Sequence, residues 1–182
     1  MSFSVKSMEM INMEIWDLYN LKREIIGKHI RGTELPEDGY HLVVHVWIKN
    51  SEGKYLMTQR SANKLTFPLK WECVGGSALK GESSIYSAVR EVYEEVGLNF
   101  AIDDGILLFT KTRKTIKGKR YNDIVDVWLF HYDGDVLLKN ATTDEVAQTK
   151  WMSREEIATL RQEGQLVHSI KDLDYFFYEM DV

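Results

Sequence analysis

The chain has 182 residues, 44% hydrophobic and 28% charged, which suits one globular domain with a sizeable core and excludes a fibrous or low-complexity protein. With 23 basic and 28 acidic residues the net charge is -5, so no global field draws nucleic acid or an anionic membrane. A polyanionic ligand must then be held by a metal ion and a few local bases. Cys73 stands alone, which excludes an internal disulfide and fits a reducing compartment. The N-terminal MSFSVKSMEMINMEIW lacks a basic start followed by an apolar run, so it does not read as a signal peptide. The apolar stretch from Leu42 to Ile48 is interrupted by His45 and is far shorter than the roughly 20 residues of a spanning helix. A cytoplasmic protein with no membrane or nucleic-acid partner is expected.

No repeat or linker composition divides the chain, so residues 1–182 are read as one domain, with an N-terminal strand extension over 1–35 and C-terminal helices over 153–182. Glu14 to Tyr19 and Ile25 to Arg31 read as short strands on β-propensity. Tyr40 to Ile48 is rich in β-branched and aromatic residues, and Asn50-Ser51-Glu52-Gly53 is a turn signal before Tyr55 to Arg60, which predicts a hairpin. His41 and His45 point to the same side of their strand. Two histidines alone make a poor metal site, and both are read as ordinary partly buried histidines, with a substrate contact as the alternative. Ser61 to Lys70 is a loop, and Trp71 to Val74 a strand delivering Gly75-Gly76, where paired glycines allow close approach of backbone to ligand. Arg60, Lys64 and Lys70 are candidate donors to phosphate oxygens.

From Gly76 to Leu98 the chain reads GSALKGESSIYSAVREVYEEVGL. On a helical wheel Ile85, Ala88, Val89, Val92 and Val96 form one core-facing stripe, while Glu91, Glu94 and Glu95 share another face flanked by Arg90. Like charges at i,i+4 and acids near a helix C-terminus both oppose the helix. A hard divalent cation reverses that balance, because clustered carboxylate oxygens are what Mg2+ or Mn2+ takes as ligands.

After this helix, Ile106 to Ile116 and Asn122 to Tyr132 predict two long strands joined at Lys117-Gly118-Lys119-Arg120. The basic residues there alternate between faces or cluster at the turn, which indicates a solvated hairpin rather than a nucleic-acid surface. TTDEVAQ is a polar stretch, Ser153 with Glu156 is a capping box that opens a helix stopped by Gly164, and Leu173 to Tyr178 is a final amphipathic segment. The aromatics Trp47, Tyr55, Trp71 and Trp128 are read mainly as core. Strands interleaved with these helices suggest an α+β fold with a mixed sheet between helices.

Gly76, five residues, Glu82, seven residues, Arg90-Glu91-Val92, one residue, Glu94-Glu95, one residue, Gly97-Leu98 resembles the signature of the Nudix (MutT-like) hydrolases at every defined position. The resemblance implies an α/β/α sandwich, a loop-helix-loop that holds Mg2+ or Mn2+ against a diphosphate, and cleavage of a small-molecule nucleoside diphosphate derivative. It carries Glu91 and Glu95 over as metal ligands, Glu94 as a ligand or helper, the Gly76 carbonyl as a further ligand, and Arg90 with Glu82 as orienting groups. Members draw an additional ligand or general base from variable places outside this box, which makes Asp123, Asp126 and Glu145 candidates. A homodimer is expected by family analogy alone.

WDLY, GKHIRG, YHLVVHVWI, QRS, WE and GG, within roughly residues 16 to 98, are similar to the branch that includes isopentenyl-diphosphate isomerase. Aligned on Gly81-Glu82, that enzyme's catalytic cysteine falls on Gly75 and its neighbouring metal-binding histidine on Ser77. The proton donor is therefore expected to be missing, which favours hydrolysis over allylic proton transfer. A domain that binds a nucleotide metabolite without cleaving it is the third class.

Overall fold

The strands and helices that position the site follow the side-chain periodicity of the sequence. The computed structural model describes residues 13–116 and 119–167, together with Phe177. Its strands are β1 (Ile15–Tyr19), β2 (Ile25–Ile30), β3 (His41–Lys49), β4 (Tyr55–Arg60), β5 (Trp71–Glu72), β6 (Val74–Ser77), β7 (Ile106–Ile116), β8 (Lys119–His131) and β9 (Val146–Met152). The helices are α1 (Ser84–Val96) and α2 (Arg154–Gln162). β1 and β2 form an antiparallel pair of their own, and the other seven strands make one mixed sheet.

Strand β3 is the middle of that sheet. It runs parallel to β8, from His41 opposite Asp123 to Lys49 opposite His131, and antiparallel to β6, with Val44 opposite Gly76. A parallel pair requires a crossover, and the connection between β3 and β8 contains α1. Alternation along β3 assigns its two faces. Val44, Val46 and Ile48 pack with Ala88, Val92 and Val96 of α1, whereas Trp47 packs with Tyr55, Met57, Val125, Val127 and Ile157 of α2. Each such fully buried aliphatic side chain contributes about 1.5–3 kcal/mol. Helices thus cover both faces of a mixed sheet, the α+β architecture expected from the order of the elements and the sandwich that the resemblance implied.

Helix α1 begins where Ser83 takes the N-cap position, its side chain accepting from the Tyr86 amide, and ends at Gly97, which adopts φ 71° and donates to the Tyr93 carbonyl. A Cβ at Gly97 would stand 2.6 Å from the Asn140 backbone, so glycine there allows the segment before β9 to pack against the helix end. The β1-β2 pair braces the other end of the box: Lys80 N–H donates to the Ile15 carbonyl (2.8 Å) and Gly81 N–H to the buried Asp17 carboxylate (2.7 Å).

Several sequence expectations are corrected. The expected hairpin of β3 and β4 shares only the pair Lys49–Tyr55, because β6 takes the place beside β3 and β9 pairs along β4. The strand expected over Trp71 to Val74 breaks at Cys73 into β5 and β6. Residues 146–152, read within or beside a polar stretch, form β9. Among the expected C-terminal helices α2 is present, capped by Ser153 and Glu156 as the sequence indicates. The segment Leu173 to Tyr178 lies outside the described residues except for Phe177, whose ring packs near Trp47 and Tyr55. Lys117 and Gly118 of the expected turn also lie outside them, as do residues 1–12 of the N-terminal extension.

Candidate active site

One guanidinium ties the loop before α1 to the helix itself. Arg90 donates from Nε to Glu82 (2.8 Å), from Nη1 to Glu91 (3.0 Å) and Glu94 (2.8 Å), and from Nη2 to the Ser77 carbonyl (3.1 Å). Glu82 also accepts from the Leu79 amide and the Ser87 hydroxyl, both at 2.9 Å, which closes the loop over the helix N-terminus. Burial alone would push the Glu82 carboxyl up, but Arg90, the Leu79 amide and Ser87 outweigh it and hold it below its usual range. Burial likewise opposes the charge on Arg90, and the surrounding Glu82, Glu91 and Glu94 more than restore it.

Glu91 lies directly on the backbone of Gly76. A Cβ there would stand 2.5 Å from its Cδ and 2.8 Å from Oε2, so the strand can carry no side chain where the carboxylate rests. Burial pushes the Glu91 carboxyl up to about 7, against the pull of Arg90. One turn on, Glu95 is 7% exposed and its carboxylate receives no hydrogen bond from any described residue. Burial first, then the charges of Glu91, Glu72 and Glu145, raise it well above its ordinary value, and Lys64 only partly offsets them. Glu145 is ion-paired with Lys64. Its segment is anchored to the helix as well: the amides of Thr142 and Thr143 donate to the Glu94 carbonyl at 3.0 and 3.1 Å.

The other candidates are distributed differently. Arg60 is engaged by Glu72 and by Thr66, through its carbonyl and hydroxyl, so it braces loop 61–70 and one acid. Lys70 reaches Gln165 at 3.4 Å, away from the acids. Asp123 and Asp126, three residues apart on a strand, point to opposite faces. Asp123 is buried against Arg113, with Nε to Oδ1 at 2.7 Å, while Asp126 is ion-paired with Arg23 and accepts from Thr110 at 2.6 Å. Neither is among the charges that act most on Glu91 or Glu95. The structure therefore brings Lys64 and Glu145 to the acid cluster but leaves Asp123, Asp126 and Lys70 in other contacts.

A family model, NUDIX domain, matches residues 39–173. The chain belongs to the Nudix family. It is 35% identical over 167 residues to an uncharacterized Nudix hydrolase of Listeria monocytogenes, covering 91% of each chain. It is also 32% identical over 139 residues to chloroplastic isopentenyl-diphosphate Delta-isomerase I of Arabidopsis thaliana, covering 68% of this chain and 47% of that one. The fold is similar to a crystal structure of a Deinococcus radiodurans protein, with a TM-score of 0.69 and 22% identity over 85% of this chain and 92% of that chain.

The divalent ion used by Nudix enzymes fits these residues. The Gly76 cradle puts a carboxylate against the half-buried backbone of β6, and Glu95 next to it is a buried acid with no donor of its own among the described residues. Such a group is expensive unless a cation compensates it. The acids do not form a closed cage: among the described residues no three His, Cys, Asp or Glu side chains converge as ligands. Glu94, expected as a ligand or helper, is turned to Arg90 and is 35% exposed at its side chain.

Two features of the Nudix site escaped the sequence reading. Glu72 lies beside the acids, its carboxyl raised by burial against the pull of Arg60, and it acts on Glu95. It sits in a two-residue strand, and although the WE pair belongs to the isomerase-like resemblance, nothing in that resemblance marked Glu72 as a site residue. A cavity of about 150 Å³ also opens beside Gly75 and Gly76, lined further by Val43, His45, Cys73 and Arg113. The alternation that put His45 opposite Val44 was legible, but the strand it faces was not. Burial, with Arg113 and Lys111, holds the His45 imidazole well below its usual range, and burial pushes the Cys73 thiol well up. His41, on the same side, is stacked on Trp16 at 4.3 Å and bonded to the Asn122 carbonyl.

Proposed function

We propose that this Nudix protein is a metal-dependent pyrophosphohydrolase that cleaves the diphosphate linkage of a nucleoside diphosphate derivative or related small metabolite. The observation that carries the reading is the seat of Glu91 on Gly76 with the unbonded Glu95 beside it. Glu91, Glu95 and the Gly76 carbonyl are the groups that would hold Mg2+ or Mn2+, with Glu94 assisting. When bound, the ion polarises the diphosphate and neutralises charge developing on its oxygens.

The chain's own residues do the rest. Arg90 fixes the acids and the loop as one unit, so the diphosphate meets them in a set geometry. Lys64 supplies a positive charge beside Glu95 and Glu145. Glu145 and Glu94 are the candidate bases: each is more open to solvent than Glu95 and can take a proton from water as its oxygen bonds to phosphorus and the bridging P–O bond breaks. Glu95→Gln should abolish Mn2+-dependent phosphate release from a panel of nucleoside diphosphate derivatives while the protein stays folded. Unchanged turnover overturns the assignment. Glu145→Gln and Glu94→Gln then separate the bases, since the base variant loses about 10²–10⁴-fold in kcat.

A second reading is favoured by one observation. Cys73, at the break between β5 and β6 two residues before Gly75, lines the same cavity, and burial holds its thiol protonated. A proton donor is thus closer to the glycines than the sequence suggested, which supports isomerase-like proton transfer on an allylic diphosphate. Conversion of isopentenyl diphosphate to its allylic isomer without phosphate release would select that reading, and tight binding of a nucleotide with neither product would select a binding domain.

A further inference from the structure

Large apolar side chains left open to solvent gather on one hairpin, β1 with β2: Met13, Ile15, Leu21, Ile25, Ile26 and Ile30. β1 is buried from Trp16 onward, but of β2 only His29 is buried, and Ile25 and Ile26 are 62% and 52% exposed. Among the described residues β1 is the single strand beside β2, so alternate backbone N–H and C=O groups of β2 face outward without a ladder. An open apolar edge of this kind is a template for another strand. The ends of the larger sheet are guarded by comparison, since β5 has two residues and β7 carries Lys111, Arg113 and Lys114.

The β2 edge complements itself. Two copies related by a two-fold axis pair antiparallel, with the residue on the axis facing its own counterpart. Ile26 is placed for that position, because the register shift between Leu18 and Tyr19 leaves it without a partner in β1. With Ile26 on the axis, Gly27 meets the partner's Ile25 and Lys28 meets the partner's Glu24, twice by symmetry. Centring on Lys28 would oppose two ammonium groups, and centring on Gly27 would set Lys28 against an isoleucine. Opposite charges across a strand pair stabilise it and like charges destabilise it, which selects the register on Ile26. Both Lys28 and Glu24 are exposed, and Asn20 bonds one oxygen of Glu24 at 2.7 Å, leaving the other for an ammonium group.

We infer that a second copy of this chain docks on this edge, the two β2 strands pairing antiparallel about Ile26 with Lys28 opposite the partner's Glu24. The inference is independent of what the Nudix site cleaves. The hairpin also holds the box, through the Lys80 and Gly81 amides and the Arg23–Asp126 pair, so docking steadies the loop before α1.

Light scattering or sedimentation equilibrium on the full chain at micromolar concentration should give twice the chain's 21.2 kDa. Ile26→Lys, which puts two ammonium groups on the axis, should give the monomer. Glu24→Lys and Lys28→Glu should each raise the dissociation constant about tenfold, and an equal mixture of the two variants should return it to within about threefold, since both pairs are then again of opposite charge. Mixing isolates the contact between copies, because Asp17 stands opposite Lys28 within the chain. If a variant does not fold by circular dichroism, amide hydrogen exchange of the unmodified protein serves instead: the β2 amides, with those of Lys80 and Gly81, should lose protection as dilution separates the copies. A monomer throughout, a dimer indifferent to all three substitutions, a mixture no tighter than its components, or β2 amides protected in a monomeric chain, which would mean that another segment covers the edge, overturns the inference.

Discussion

Replacing Gly76 by alanine separates placement of the acids from stability of the fold. Gly76 is not among the glycines at positive φ, so alanine is compatible with its backbone and no conformational strain enters. The added methyl would stand 2.5 Å from Glu91 Cδ, against a usual carbon separation of about 3.5–4.0 Å. The carboxylate must therefore retreat by about 1 Å. Since the group that moves is the far end of a flexible side chain, the fold should lose only about 1 kcal/mol, or roughly 2–4 °C in Tm for a chain of this size. A misplacement of about 1 Å lowers rate by about 10²-fold, close to 2.7 kcal/mol of transition-state stabilisation. The assay is kcat/KM against Mn2+ concentration, with a thermal melt of the same sample. Activity within threefold of the unmodified protein at the same metal requirement would refute the cradle. A fall of more than about 10 °C in Tm would show instead that Gly76 protects the fold.

Arg90→Lys keeps the charge but loses the fork that reaches Glu91, Glu94 and the Ser77 carbonyl together; kcat/KM should fall about 10- to 100-fold with a raised metal requirement, and an unchanged metal titration would count against the orienting role. Asp123→Ala leaves the buried Arg113 guanidinium without its carboxylate, so the urea midpoint should report a loss of about 3–5 kcal/mol. A loss below about 1 kcal/mol would contradict a structural role for that pair. Burial alone would raise the Asp126 carboxyl, but hydrogen bonds from Arg23, Ser84 and Thr110 outweigh it and the net shift is downward. Its stabilisation is thus fully present above the unfolded value of about 3.9 and lost as pH falls below that toward the folded value. Asp126→Asn should be less stable than the unmodified protein at pH 7 and show a shallower decline in Tm between about pH 4 and 2, and parallel curves would show that Asp126 does not carry the acid sensitivity.

The parts of the molecule legible in the sequence are those whose determinants lie close together along the chain. The stripe of Ala88, Val92 and Val96 and the spacing of Glu82, Arg90, Glu91 and Glu95 all act within a few turns of one helix. Alternation in β3 was equally local, and it put His41 and His45 on one side. What was missed depends on partners far away. β9 is a strand because β4 pairs along it, although Gln148 and Thr149 give no apolar signal. Asp126 looked as eligible for catalysis as Glu145 until Arg23, 103 residues away, claimed it. Glu72 became visible only through its neighbours in space, Arg60 and Glu145 beside it and Glu95 across from it.

The two threonine amides on the Glu94 carbonyl have a mechanical consequence. They clamp residues 142–143 to the last turn of the acid-bearing helix, so any tilt of that helix carries Glu145 along with it. Glu145 is tied to the sheet edge as well, its carbonyl accepting from the Ser61 amide at 2.7 Å, so helix and β4 edge together set the span a proton must cross. Redesign of substrate preference can begin in β7 and β8, around Arg113, without retuning that span.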